Sequence, residues 1–301
     1  MTVLLTGASG YLGQHVLLAL LSAGNDVTVL VREPTRLGAL ATHPKVRVRT
    51  GDLTDERCLR HAVEGIAVVI HAALIWGAPR TELDLPDSIA AAKLFDAAGE
   101  AGVSRCLLIS STAVHRPFRA LIKESDPLQT ADLYGASKAT AELMMWAACN
   151  TYGMTGLVLR SGPVVGPPAQ AGGPFRSDST LQALVHAAKA GHPLTVVAGT
   201  ARQLVGATDV ARVVATLVHT PHAEGTYLCV DAEPTPWERI AEQVVETARS
   251  ESVIQVAPAS STSPTPRFVV DRLTALLGQS LDSKEALAQH IEHLVVNSVQ
   301  S

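Results

Sequence analysis

Residues Thr2 to Gly13 read TVLLTGASGYLG, a short apolar run that breaks into three glycines spaced three apart, Gly7, Gly10 and Gly13. An amphipathic stretch opens at Tyr11, so the glycines stand between a strand and a helix. That context gives the spacing a chemical meaning. A glycine at 7 permits a tight turn, one at 10 lets the backbone approach a pyrophosphate closely, and one at 13 lets the helix pack against the strand. An anion seated there meets free N–H groups and the positive end of the helix dipole. An ordinary strand-to-helix turn is the plain alternative; strand, spacing and helix together point to nucleotide binding.

Working outward, strand-like and helix-like runs alternate through the first half. After the helix from Tyr11 come DVTVLV (26–31), KVRVR (45–49), a helix from Thr54, AVVIHAA (67–73), a helix near Asp87 to Ala101, and RCLLISS (105–111). ATAELMMWAACNTYG (139–153) and TGLVLRSG (155–162) extend the pattern. Continuous apolar runs such as VVI and LLIS suit strands covered on both faces, which predicts an α/β chain with a parallel sheet between helices. Beyond Gly162 the composition turns to Gly, Pro and Ser in GPVVGPPAQAGGPFRSDST (162–180), a loop long enough to be functional. Helices near Thr180–Ala190, Thr208–His219 and Pro236–Ser250, the short strands LTVVA and GTYLCV, a second loop APASSTSPTPR and two C-terminal helices follow. We read residues 1–162 as mainly a nucleotide-binding domain and 163–301 as mainly a small substrate-side lobe, with some segments returning to the sheet.

Composition narrows the partners. In 301 residues, 47% are hydrophobic and 17% charged, which is globular, and a net charge of -4 with mixed signs leaves no basic stripe for nucleic acid or anionic lipid. Cys58, Cys106, Cys149 and Cys229 lie far apart, so neither a zinc site nor a disulfide framework is expected. With no signal peptide ahead of the first strand and no apolar run of roughly 18 residues, a cytoplasmic protein without membrane association is expected. His71, His115, His186 and His192 show no metal spacing.

Two further features bear on chemistry. Tyr134 and Lys138 are four apart on a predicted helix, hence on one face. A phenol with a pKa of roughly 10 must fall by about three units, or about 4 kcal/mol, to exchange protons near neutrality, and one nearby ammonium supplies energy of that order. At the end of the second strand, an acidic residue would bind the ribose 2′-hydroxyl of NAD, and arginine would accommodate the 2′-phosphate of NADP. Arg32 stands there with Arg36 nearby, and Glu33 is adjacent. NADP(H) is therefore expected over NAD(H).

The glycine spacing, with GDL (51–53), VIHAA (69–73), LLISSTAV (107–114), YGASK (134–138), LRSGPVVGP (159–167) and TDVARVV (208–214), resembles the extended branch of the short-chain dehydrogenase/reductase superfamily along nearly the whole chain. The resemblance implies a Rossmann-type doubly wound sheet with a small C-terminal substrate-binding lobe. It implies that Gly7, Gly10, Tyr11, Leu12 and Gly13 hold the cofactor diphosphate, that Asp52 and Leu53 meet the adenine, that Ala72 and Ala73 line the inner ribose and phosphates, and that Pro163 borders the cofactor. Taken alone, Asp52 reads equally as a helix cap and HAA as buried strand.

By the same likeness Tyr134 is the general acid/base, Lys138 lowers its pKa and holds the nicotinamide ribose, and Ser111 bonds the substrate oxygen, with Ser110 or Thr112 as substitutes. Departures narrow the reaction. Thr112 and Ala113 stand where dehydratases carry acidic residues, Pro163 stands where sugar-nucleotide epimerases carry Asn, and Asp87 replaces an Asn, which puts a proton relay through that position in doubt. The reading is an NADPH-dependent ketoreductase or alcohol dehydrogenase acting on a small molecule. The alternatives are a sugar-nucleotide epimerase or 4-ketoreductase, and a non-catalytic NADP-binding sensor. Trp76 is a substrate platform or a loop anchor. Met144, Met145 and Trp146 belong to the core or to a dimer interface, and the resemblance implies a homodimer through helices near 90–101 and 136–152.

Overall fold

A computed structural model describes residues 1–74, 85–259 and 265–297. Seven strands form one parallel sheet: β1 (Thr2–Thr6), β2 (Asp26–Val31), β3 (Val46–Thr50), β4 (Val68–His71), β5 (Arg105–Ser111), β6 (Thr155–Ser161) and β7 (Gly225–Cys229). Their order is β7-β6-β5-β4-β1-β2-β3, with every pairing parallel. The chain reverses direction across the sheet between β1 and β4, the switch point where such sheets open a ligand crevice.

Helices α1 (Tyr11–Ser22), α2 (Glu56–Val63), α3 (Leu85–Glu100), α4 (Leu133–Tyr152), α6 (Ala207–His219) and α8 (Asp271–Leu277) cover the two faces, and α5 (Ser179–Lys189), α7 (Trp237–Ala248) and α9 (Lys284–Asn297) lie beyond the sheet. Period-2 alternation divides each strand between two cores. Val3 and Leu5, with Leu107 and Ile109, meet Val16, Leu17 and Leu20 of α1 and Val213 and Leu217 of α6. Leu4 and Leu108 face the other way, toward Leu59, Leu94, Phe95 and Met145. Continuous apolar strand sequence thus reflects burial on both sides.

The later segments divide in two ways. The predicted strand GTYLCV and the helix over 207–219 are part of the sheet layers, as β7 and α6. A third core joins α5, α7 and α9, where Leu184, Ile240, Val244, Leu287 and Ile291 bury against a parallel pair, Leu194–Val197 with Ile254–Ala257. AVVIHAA forms a shorter strand than expected, ending at His71, because the Ala72–Ala73 backbone turns into the crevice beside Gly7. The helix expected from Thr54 begins at Glu56, where Asp55 caps it through the Arg57 N–H. No described helix is long and apolar enough to cross a membrane.

Candidate active site

Gly7 has φ +78°, and a Cβ there would lie 2.6 Å from the Ala72 carbonyl carbon and the Ala73 nitrogen. Only glycine lets β1 turn at that point while touching the end of β4. A Cβ on Gly13 would lie 1.9 Å from the Gly7 carbonyl oxygen, so the helix start is locked onto the turn. Gly10 is the N-cap of α1, with no side-chain cap and no acidic residue in the first turn. The N–H groups at Tyr11, Leu12 and Gly13 therefore remain suited to a diphosphate, and this cradle fits a dinucleotide.

Arg32 follows β2 directly, Arg36 lies in the next turn, and both are exposed, without an ion pair among the described residues. Asp52 accepts from the Thr54 N–H and hydroxyl, both at 2.8 Å; these bonds, with Arg32 nearby, hold its carboxyl below the usual range. Its carboxylate thus closes a turn just before α2, whose cap is Asp55. Leu53 packs against the core below, Ala72 is half-buried and Ala73 is buried. The Pro163 carbonyl accepts from the Val205 N–H at 3.1 Å.

The loop after Gly162 folds toward this crevice. The Tyr11 phenol donates to the Gly166 carbonyl at 2.8 Å, His15 Nε2 lies 3.1 Å from the Pro167 oxygen, and Phe175 packs edge-on against Tyr11. Gln170 donates to Gln14 Oε1 and to the Leu37 carbonyl, while Gln14 Nε2 donates to the Arg36 carbonyl. Residues 166–175 of that loop are thus tied to α1 and to the turn carrying Arg36.

Ser111 ends β5 at the sheet's C-terminal edge, half-buried, its hydroxyl accepting from the Ala113 N–H at 3.2 Å. Its two proposed substitutes are buried, and Ser110 is spent on Glu142. Tyr134 is the second residue of α4 and half-buried; Lys138 follows one turn later, fully buried. What brings α4 to Ser111 is a residue sequence reasoning missed. A Cβ on Gly135 would lie 2.7 Å from the Ala113 carbonyl oxygen, so glycine lets the helix start press onto the turn that follows Ser111. Asp132 caps that start through the Gly135 N–H at 2.7 Å and pairs with Arg116.

Beneath lies a buried network that the sequence reading also left out. Arg160 of β6 donates three bonds to Glu142 of α4, at 2.8, 3.1 and 3.3 Å, and further bonds to His115 Nε2 and the Glu124 carbonyl. A signal existed: Glu142 lies four residues beyond Lys138, on the same helix face, and is fully buried. Lys138 Nζ is 3.9 Å from Asp87 Oδ2, which also accepts from the Ser137 hydroxyl at 2.8 Å. Burial lowers the Lys138 pKa, and Asp87 opposes that shift.

Trp76 lies outside the described residues. Met145 is core, Met144 is exposed, and Trp146 packs against Gly156, so the three residues have separate roles. Cys106, Cys149 and Cys229 are buried free thiols and Cys58 is half-buried. Among the described residues no group of three or more His, Cys, Asp and Glu could hold a metal ion. A cavity of about 620 Å³, lined by Leu204, Asp231, Glu242, Ser283 and Leu287 among others, opens in the third core's neighbourhood, away from Ser111 and Tyr134.

Comparison with known proteins places the chain among relatives and folds. The chain is 30% identical over 174 residues to a UDP-glucose 4-epimerase of Lacticaseibacillus casei, covering 55% of this chain and 52% of that protein. It is 32% identical over 169 residues to a 4-hydroxy-2-methyl-3-oxo-4-farnesyl-3,4-dihydroquinoline-1-oxide ketoreductase of Stigmatella aurantiaca, covering 53% of this chain and 49% of the other. The chain thus spans about half the length of the curated relatives it matches. Its fold is similar to the Thermus thermophilus UDP-glucose 4-epimerase solved with NAD, with a TM-score of 0.74, 23% identity, and coverage of 98% and 99% of the two chains. The model of the NAD dependent epimerase/dehydratase family matches residues 3–229. The chain belongs to that family, within the extended short-chain dehydrogenase/reductases.

Proposed function

We propose that this chain is an oxidoreductase that uses NADPH to interconvert a carbonyl and an alcohol on a small molecule, with Ser111, Tyr134 and Lys138 as its catalytic residues. One observation carries the reading: Tyr134 stands half-exposed at the start of α4, against the turn that follows Ser111, with a buried lysine one helical turn behind it. Ser111 holds the substrate oxygen by its hydroxyl. Tyr134 gives that oxygen its proton on reduction and takes it on oxidation, and the Lys138 ammonium stabilises the phenolate this requires. When bound, the nicotinamide supplies or accepts the hydride. Gly7 to Gly13, Asp52, Leu53, Ala72, Ala73 and Pro163 hold the cofactor, and Arg32 and Arg36 select its 2′-phosphate.

Residues 163–301 provide most of the substrate lobe in this reading. Ile89 on α3 and Leu143 on α4, 49% and 59% exposed, support a homodimer through those helices. Free thiols throughout support a cytoplasmic setting.

A sugar-nucleotide 4-epimerase is the second reading, favoured by the Lacticaseibacillus casei relative and by the NAD in the Thermus thermophilus structure. Native mass spectrometry of purified protein separates the two, since tightly retained NAD speaks for the epimerase and an exchangeable NADPH for the reductase. The catalytic test is Tyr134→Phe, expected to keep fold and cofactor affinity while turnover falls by about 10² or more. Undiminished turnover in that variant would remove Tyr134 from the proton step. NADPH binding without turnover on any carbonyl or alcohol across a broad panel supports the sensor instead.

A further inference from the structure

Three titratable side chains meet in the interior beside α4, on the helix face that also carries Tyr134. Asp87 near the start of α3 and Lys138 on α4 have side chains only 2% and 5% exposed, with Nζ 3.9 Å from Oδ2. His71 at the end of β4 is equally buried; its Nδ1 lies 2.7 Å from Thr6 Oγ1, and its Nε2 has no partner among the described residues. Burial, reinforced by the Lys138 charge and opposed by Asp87, pushes the His71 pKa down to about 4, so this ring is neutral.

An ammonium in such a place is strongly disfavoured unless an anion answers it. We propose that Asp87 is a positioning residue for Lys138: its carboxylate, fixed by the Ser137 hydroxyl, is the buried countercharge that keeps Lys138 an ammonium one turn from Tyr134. The proposal rests on the reading of Tyr134 and Lys138 above. The asparagine that the family resemblance expects at 87 would offer a hydrogen bond and no charge, so the aspartate changes the electrostatics of the site while preserving its shape.

Among the described residues, no other group around Lys138 supplies that charge. His71 is neutral, and Tyr134 is the phenol to be activated. Glu142, one turn further along α4, is committed to Arg160 and Ser110. On the turn after β5, His115 Nε2 accepts from Arg160 and is neutral too. On β5 itself, hydrogen bonding with Cys149 and burial push the Cys106 thiol well up.

The chain has six lysines, so Lys138 can be followed individually by side-chain ¹³C and ¹⁵N NMR on the full chain, with Lys138→Met assigning its signal. We expect a charged Lys138 at neutral pH in the parent. In Asp87→Asn its titration midpoint falls by about one pH unit or more, the scale of one countercharge at this range. Ser137→Ala, which removes the bond and leaves the charge, moves it less. A neutral Lys138 in the parent at pH 7, or an Asp87→Asn midpoint equal to the parent's, overturns the proposal. The parent measurement decides alone if Asp87→Asn does not fold. The NMR titrations need no substrate, and a separate assay distinguishes the two readings: full turnover in Lys138→Met on a substrate of the parent enzyme defeats the catalytic reading and leaves the countercharge result standing, whereas an unmoved midpoint defeats the countercharge alone.

Discussion

The crevice edge beneath Ser111 and the joint beneath the C-terminal segments hold their parts together by opposite means. Under Ser111, a charged pair, Glu142 and Arg160, joins α4 to β6, with Ser110, His115 and the Glu124 carbonyl filling the remaining bonds. At the other joint a neutral amide does the work. Gln203 donates to the Asp231 and Phe268 carbonyls and accepts from the Phe268 N–H, while His290 bridges Gly166 and Ser177. A buried ion pair demands that every bond be kept, because losing one partner strands a charge. A neutral clamp tolerates partial loss, since the freed groups carry no net charge. The charged bolt lies beneath the strand end that carries Ser111 and the helix that carries Tyr134, and the neutral clamp where strands and loops meet.

Acid tests both regions at once and should have the largest effect. His71 and His115 in the sheet half and His290 in the later half are all buried, and burial pushes each pKa down to about 4; Arg160 adds to this at His115, whereas the Gly166 bond opposes it at His290. Between pH 6.5 and about 4 the unfolded chain binds protons that the folded chain refuses. Their stabilisation is therefore intact above pH 6.5 and drains away as pH falls through that window. Each histidine loses about 2 kcal/mol by pH 5. Asp231 runs the other way: burial raises its carboxyl to about 6, which costs stability at neutral pH and is relieved by acid. Denaturant melts at pH 7 and pH 5 should differ by a net amount on the order of 4 kcal/mol. Equal stability at the two values would mean that these rings are solvated.

The joints themselves can be broken singly. Glu142→Ala leaves Arg160 buried without its anion and should destabilise the fold by roughly 3–5 kcal/mol. Gln203→Ala frees neutral groups and should cost about 1–3 kcal/mol. Urea titration of both variants checks the order, and a Gln203 effect equal to or above that of Glu142 would erase the contrast between bolt and clamp.

How much of this was legible follows from the range over which each constraint acts. Gly7, Gly13 and the βαβ alternation are local, set by a turn and a period, and the sheet from Thr2 to Ser161 could be read from them. Tyr134 and Lys138 were legible as a pair because four residues make one helical turn. Gly135 was not: its reason is the Ala113 carbonyl, a contact across chain segments. Arg160 read as a strand residue and Glu142 as a helix residue, and only the packing of α4 on the sheet reveals them as one unit. The loop after Gly162 was visible as a loop, but its destination depends on Gln14, Gln170 and Tyr11, polar groups without periodicity. Asp87 was legible as a departure from the family pattern, and its meaning waited on the 3.9 Å approach of Lys138.

The smallest expected effect concerns the exposed rim of the nucleotide half, where neither bolt nor clamp operates. Arg32 projects from the end of β2 into solvent, and its surroundings include Asp52, whose carboxyl it helps keep ionised. A guanidinium so placed gives a 2′-phosphate a charge-assisted contact, yet solvent and salt screen it. Arg32→Ala should therefore narrow the preference for NADPH over NADH by about tenfold, or about 1.4 kcal/mol, leaving NADH affinity nearly unchanged. Raising the ionic strength should narrow the parent's preference in the same direction, and Arg36→Ala should do so less, since Arg36 stands four residues further from the strand end. Fluorescence titration with each cofactor measures all of this. Equal affinities in the parent, or a variant that loses NADH as strongly as NADPH, would assign the selection of the 2′-phosphate to residues other than Arg32.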